Sequence, residues 1–326
     1  MSRTLRMSKS NRQDIEDIED INQILEEANE NQDEFDEDEF EEPEEFEEEV
    51  VRKPSRTIPA KVKTQYKGTR TIEIQELDPD IIPPSSSEFM DPEHTGTKLA
   101  VIGKPGTGKS SLIRSLLYEK SEIFPCAQVY SGTEDSNHSY SKFIPSIFIH
   151  NKFDQVAYEN FIRRQKISKK FLTNPWAVCV WDDITENEAI FRMPLIKGTY
   201  KNGRHWKMLH ILSLQYALDI KPVIRTNIDG AFLLRESNNK NRVKLYENYA
   251  SAVDNQQDFI DIFNQVTNNY TSLYIHNRVQ SNKFEDCVFW YKARQDIPSD
   301  FKFGCKEFWM FHEERYNLNY VDPITV

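Results

Sequence analysis

The sequence predicts an α/β fold with a mainly parallel central sheet flanked by helices. Three observations predict it. Short, wholly apolar runs recur from Lys98 onward, helix-patterned segments separate them, and a glycine-rich turn joins the first run to the first helix. Strands covered on both faces read as unbroken apolar runs, and helical crossovers between them impose parallel order.

The chain ahead of that pattern is divided by charge. Residues 1–13 carry four basic residues (Arg3, Arg6, Lys9 and Arg12) and no acid, whereas residues 14–49 carry 21 acids and no Lys or Arg. The formal charge of −12 belongs to this tail, and removing both segments leaves +5 for residues 50–326. Apolar residues of 1–51 are isolated among like charges and cannot assemble a core, so this stretch is read as a disordered acidic tail. Such a polyanion solubilises the chain, or occupies the protein's own basic surface until nucleic acid displaces it. Residues 52–97 read as a basic, proline-rich linker and a lead-in loop. Arg52, Lys53, Arg56, Lys61, Lys63, Lys67 and Arg70 are followed by Pro79, Pro83, Pro84 and Pro92.

The ordered domain is assigned to 98–326. Its first strand is Leu99–Ile102, followed by a helix over 109–120 with Leu112, Ile113, Leu116 and Leu117 on one face. A second strand covers 127–130, a short one 147–149, and a helix 154–170. The third main strand is 177–181 and the fourth 208–214. Further strands fall at 231–235, 272–276 and 287–292, with a helical stretch of 240–266 before the last two.

Composition excludes several classes. No run of about 18 apolar residues exists to span a membrane, and the N-terminus lacks the apolar core of a secretory signal. Cys126, Cys179, Cys287 and Cys305 are scattered without CxxC spacing. They read as buried thiols of a reducing, intracellular compartment, with neither a disulfide framework nor a zinc site.

Gly103-Lys104-Pro105-Gly106-Thr107-Gly108-Lys109-Ser110 matches the phosphate-loop pattern GxxxxGK[ST], and Ser111 continues it into the helix. The glycines let backbone N–H groups turn inward around phosphate oxygens, and the helix aims its positive end at the same anion. Lys109 is expected to reach the β- and γ-phosphates of ATP, and the Ser110 hydroxyl to ligate Mg²⁺. Trp176–Asp183 is an apolar strand ending in two carboxylates. Placed beside the loop it delivers Asp182 to the Mg²⁺ shell, while Asp183 is the candidate general base. Its short side chain requires the water close by, and Glu186 and Glu188 are alternatives. Met208–Gln215 is a third apolar strand, and its neutral Gln215 suits a γ-phosphate sensor. Arg204 and Arg225 flank that strand, and each is a candidate arginine finger for a neighbouring subunit or an ordinary surface cation.

Together these motifs resemble the poxvirus-type genome-packaging ATPases of large nucleocytoplasmic DNA viruses, within the FtsK–HerA superfamily of P-loop motors. The residues carrying the likeness are Gly103–Ser110, Tyr130-Ser131-Gly132-Thr133-Glu134, Val180–Asp183, Ser213–Gln215, Pro222–Asn227 and Cys287–Ala293. The resemblance implies a RecA-like sheet with an additional strand beside the two motif strands, a homo-oligomeric ring, and ATP-driven movement of double-stranded DNA into a capsid. It also implies capsid components as partners and a place in the virion or the cytoplasmic viral factory of an infected cell. DNA would be held through phosphates, with residues 163–170 and Lys197, Lys201 and Lys207 as candidate contacts, although a basic run is also what a solvated helix face carries. The late aromatics (Trp290, Tyr291, Phe301, Phe303, Phe308, Trp309 and Phe311) are assigned to core packing before base stacking. Competing readings are a nucleotide kinase, an AAA+-like ATPase not acting on DNA, and a scaffold that binds ATP without turnover.

Overall fold

The computed structural model describes residues 62–65, 71–184, 189–281 and 283–317. The acidic tail, most of the basic linker, Glu186 and Glu188 lie outside the described residues.

Ten strands form a single sheet: β1 (Val62–Gln65), β2 (Thr71–Glu76), β3 (Thr97–Ile102), β4 (Ala127–Ser131), β5 (Ile149–His150), β6 (Ala177–Asp182), β7 (Met208–Leu214), β8 (Gly230–Leu233), β9 (Thr271–His276) and β10 (Val288–Lys292). Their order is β1-β2-β10-β9-β8-β3-β7-β6-β4-β5. From β8 to β5 every pairing is parallel. β9 runs antiparallel to both β8 and β10, and β10 pairs in parallel with β2. The expected mainly parallel sheet is therefore present, with an antiparallel excursion at β9. The additional strand expected beside the two motif strands is β7, which lies between β3 and β6.

Side chains alternate between two core layers because successive Cβ atoms of a strand point to opposite faces. In β6, Ala177, Cys179 and Trp181 face one layer, and Val178 and Val180 face the other. The first layer is covered by helices α2 (Gln155–Phe171), α3 (Pro194–Asn202), α4 (Asn239–Tyr249) and α5 (Gln256–Val266) through residues such as Tyr158, Tyr200, Tyr249 and Phe259. The second is covered by α1 (Lys109–Glu119) and α6 (Lys306–Arg315), through Leu112, Leu116 and Phe308. Each large apolar side chain so buried contributes roughly 1.5–3 kcal/mol, before the entropy of ordering it. The stretch read as one helix over 240–266 is two, α4 and α5. Asn255 caps α5, its side chain accepting from the Asp258 N–H, so the chain reverses where local capping is available.

The lead-in 71–97, read as a loop from its prolines, contains β2 and reaches into the core. Leu77 and Ile82 are 1 % and 0 % exposed, and the buried Lys120 ammonium donates to the Ile82 and Pro84 carbonyls at 2.7 Å each. Prolines in this stretch follow the strand instead of interrupting it, so they do not prevent β2 from pairing. Of the late aromatics, Trp290, Tyr291, Phe303 and Phe308 are buried in the core and Phe301 and Trp309 are half-buried against it, whereas Phe311 is exposed.

Candidate active site

Parallel strands all end at one edge of a sheet, and that edge holds the predicted loop, carboxylates and glutamine. The loop leaves β3 with the Gly103 N–H donating to the Leu214 carbonyl at the end of β7, at 3.0 Å. Gly106 and Gly108 have φ of 77° and 98°, the left-handed region that glycine enters without Cβ strain. Gly108 is the N-cap of α1, so the free N–H groups of the first turn face the loop. Lys104 is tied to the buried Glu236 at 2.8 Å, and the Thr107 hydroxyl donates to the Lys104 carbonyl at 2.7 Å. Pro105 is exposed, and Ser111 is exposed on the first turn of α1.

The Lys109 ammonium, 6 % exposed, donates to the Gly103 carbonyl at 2.9 Å and stands 3.8 Å from Asp183 Oδ1. The Ser110 hydroxyl donates to Asp182 Oδ2 at 3.2 Å. The same oxygen accepts the Tyr140 hydroxyl at 2.8 Å. Burial, followed by the adjacent Asp182 charge, pushes the Tyr140 phenol well above its ordinary range, so it stays a donor.

Asp182 is 2 % exposed, and its Oδ1 makes no hydrogen bond. Burial raises its carboxyl above the ordinary carboxylate range. The neighbouring Ser213 hydroxyl, Tyr140 and Lys109 oppose that rise, and Asp183 adds to it. Ser213 Oγ is also buried without a bond of normal geometry. An orphaned carboxylate oxygen beside a serine hydroxyl is a half-built oxygen shell, and it fits a hard, small cation such as Mg²⁺ that takes its other ligands from phosphate and water. Among the described residues no group of three or more His, Cys, Asp or Glu converges, which is the donor pattern of a dedicated transition-metal site.

Asp183 turns away from Asp182 because its backbone is left-handed, with φ of 51°. Gly132, at the tip of β4, makes room for this kink: a Cβ there would sit 2.4 Å from the Asp183 carbonyl oxygen. Asp183 Oδ1 accepts the Gln215 side-chain amide at 3.2 Å, so base candidate and sensor candidate are in contact. Asp219 accepts the Gln215 and Tyr216 backbone N–H groups at 3.1 and 2.8 Å, which fixes the sensor loop.

The structure brings Lys109, Ser110, Asp182, Asp183 and Gln215 together and places the two arginines elsewhere. Arg204 pairs with Asp229 at the opposite, amino-terminal end of the sheet, and Arg225 donates to the Ile220 carbonyl. Lys207, a candidate DNA contact, is corrected: it is buried, and its ammonium donates to the Asp91, Pro92 and His94 carbonyls. Its position before β7 makes it a clamp on the lead-in. Arg163, Lys166, Lys169 and Lys170 remain exposed on α2, as do Lys197 and Lys201 on α3.

Two side chains that support Asp182 escape sequence reading. Tyr140 lies in an irregular segment with no motif around it. Glu134 is buried, and its carboxylate accepts the Tyr140 and Ser141 N–H groups at 3.0 and 2.8 Å, holding the tyrosine in place. The only signal was Glu134's place in the segment Tyr130–Glu134.

A family model described as "Poxvirus A32 protein" matches residues 92–296. The chain is 49 % identical over 240 residues to uncharacterized protein 088R of Invertebrate iridescent virus 3, covering 73 % of this chain and 92 % of the relative. It is 45 % identical over 254 residues to uncharacterized protein 075L of Invertebrate iridescent virus 6, covering 77 % and 98 %. Among solved structures, the genome packaging NTPase B204 from Sulfolobus turreted icosahedral virus 2 in complex with ATP-gammaS is similar at 17 % identity and a TM-score of 0.44, covering 62 % of this chain and 98 % of that one.

Proposed function

The chain belongs to the Poxvirus A32 protein family, and from that premise we propose that it is an ATP-hydrolysing motor that moves double-stranded DNA into a viral capsid. One observation carries the ATPase reading. Three separate segments converge at one sheet edge, so that the Lys109 amine, Ser110 hydroxyl, Asp182 and Asp183 carboxylates and Gln215 amide form one connected set of contacts.

Phosphates of ATP would lie in Gly103–Ser111, held by backbone N–H groups and the positive end of α1. Lys109 would leave the Gly103 carbonyl for phosphate oxygens. Ser110 and Asp182 would hold Mg²⁺, which supplies charge neutralisation on the phosphates. Asp183 would orient the attacking water and accept its proton, and Gln215, already bonded to Asp183, would sense whether γ-phosphate is present. Arg204 or Arg225 of a neighbouring subunit would complete the site in a homo-oligomeric ring. The exposed cations of α2 and α3 would grip DNA phosphates, since packaging must ignore sequence. The viral relatives favour an intracellular viral setting, with capsid components as the remaining partners. No helix among the described residues is long and apolar enough to cross a membrane.

The test is an ATPase assay on the full chain with and without long duplex DNA, alongside a mass measurement of the assembly. Turnover should rise with duplex length, Lys109→Ala should abolish it, and Asp183→Asn should slow it by on the order of 10²-fold while retaining ATP. Phosphate transfer to an acceptor nucleotide would favour the kinase reading. Unaltered turnover in Lys109→Ala would end the ATPase reading itself.

A further inference from the structure

The turn ahead of β9 carries a residue that neither the core nor the phosphate loop explains. Residues 268–271 close with the Thr271 N–H donating to the Asn268 carbonyl at 3.0 Å, and the two central residues, Asn269 and Tyr270, have φ of 53° and 60°. Two consecutive left-handed residues suit glycine and asparagine, while a tyrosine is strained there by its Cβ. Burial does not offset that strain, because Tyr270 is 70 % exposed. Strain retained at an exposed position asks for a role outside folding.

The position of the ring supplies one. Because β9 is antiparallel to β8, its leading turn emerges at the edge where the parallel strands end. Tyr270 lies against the loop itself: a Cβ on Gly108 would be 3.4 Å from Tyr270 Cδ1 and 4.0 Å from Leu234 Cδ2. The turn is further tied to the segment after β8 by the Arg235 guanidinium, which donates to Asn268 Oδ1 at 3.4 Å.

We propose that Tyr270 is the platform on which the base of the bound nucleoside triphosphate stacks. This rests on the reading of Gly103–Ser111 as the triphosphate cradle. Phosphates held over Gly106–Ser110 leave the nucleoside to project from the rim of the loop, where Tyr270 presents an open aromatic face. Stacking strengthens binding of any base without selecting one by hydrogen bonds, and a ring with two side-chain torsions loses little freedom in doing so.

The experiment is equilibrium titration of Mg-ATP and of inorganic triphosphate into the full chain, with Tyr270→Gly, Tyr270→Phe and Lys109→Ala beside the parent. Tyr270→Gly should bind ATP about tenfold more weakly, and Tyr270→Phe within about twofold of the parent. Inorganic triphosphate, which has no base, should bind the parent and both Tyr270 variants alike. The melting temperature of Tyr270→Gly should equal or exceed the parent's, because glycine relieves the left-handed strain. Unchanged ATP binding, an equal loss of both ligands, or a clearly lowered melting temperature each overturns the platform. Lys109→Ala should weaken both ligands together. If it weakens neither, the cradle fails, and that failure is distinct from the loss of the platform alone.

Discussion

Asp182 and Asp229 are buried equally, each 2 % exposed, at opposite ends of the same sheet, and their surroundings differ in kind. Asp229, just ahead of β8, is fully engaged: its Oδ2 accepts the Lys98 N–H at 2.8 Å and its Oδ1 accepts the Arg204 guanidinium. Burial lowers the nearby Arg278 guanidinium, and the Asp229 charge opposes that fall. Asp182, at the end of β6, has one oxygen shared by two hydroxyls and one oxygen with no bond. A buried carboxylate that serves as a counter-ion is surrounded by donors. Asp182 is left short of them, so its ionised form is poorly compensated where it is buried.

The largest expected effect probes the unsatisfied partner. Asp182→Asn should lower turnover by at least about 10³-fold, roughly 4 kcal/mol of lost transition-state stabilisation, read as phosphate release. Its effect on stability should be opposite in sign. The carboxyl is raised in the folded chain, so its contribution is favourable below the unfolded value of 3.8 and is lost as pH rises through the folded one. At neutral pH the ionised group is a burden, and an amide that cannot ionise should raise the urea midpoint. A lowered midpoint would erase the contrast between the two aspartates.

Asp229→Ala should do the reverse, costing about 3 kcal/mol in urea unfolding while turnover per folded molecule is retained, because it strands the buried Lys98 and the Arg204 charge. His210 sharpens the comparison from the middle of β7, between the two ends. It is fully buried, neither ring nitrogen has a partner, and burial, then Lys98, lowers it to about 3. A depressed base contributes stability above its unfolded value of 6.5 that is lost as pH falls from there toward 3. His210→Phe should therefore match the parent at pH 8 and exceed it by about 2 kcal/mol at pH 5 in chemical denaturation. The smallest effect belongs to Arg204→Ala. Its side chain is 39 % exposed, so the loss in stability should stay near 1 kcal/mol. Turnover compared between Arg204→Ala and Arg225→Ala tests the proposal that one of the two acts between subunits, which an unaltered rate in both variants would end.

The same contrast explains what the sequence could convey. Gly103–Ser110, Asp182 and Gln215 were legible because each sits where an apolar run stops, and in a parallel sheet all such stops share one edge. Asp229 and Tyr140 were not legible. Asp229 finds Lys98 across 131 residues, and Tyr140 finds Asp182 across 42, through contacts that no local period encodes. β2 was hidden because the prolines after it dominate the local reading, although its partner β10 lies more than two hundred residues away. Tyr270 was passed over for a related reason: the antiparallel direction of β9, which brings a strand's beginning to the reactive edge, leaves no mark on strand composition.

The contact between Gly132 and the Asp183 carbonyl has a consequence for how accurately the base candidate is held. It joins two strand tips through main-chain atoms, with no torsion of an intervening side chain to relax. Any methyl group at position 132 must push the peptide of Asp183 outward, and the carboxylate moves with it. The direction of the Asp183 side chain thus depends on a missing methyl group one strand away.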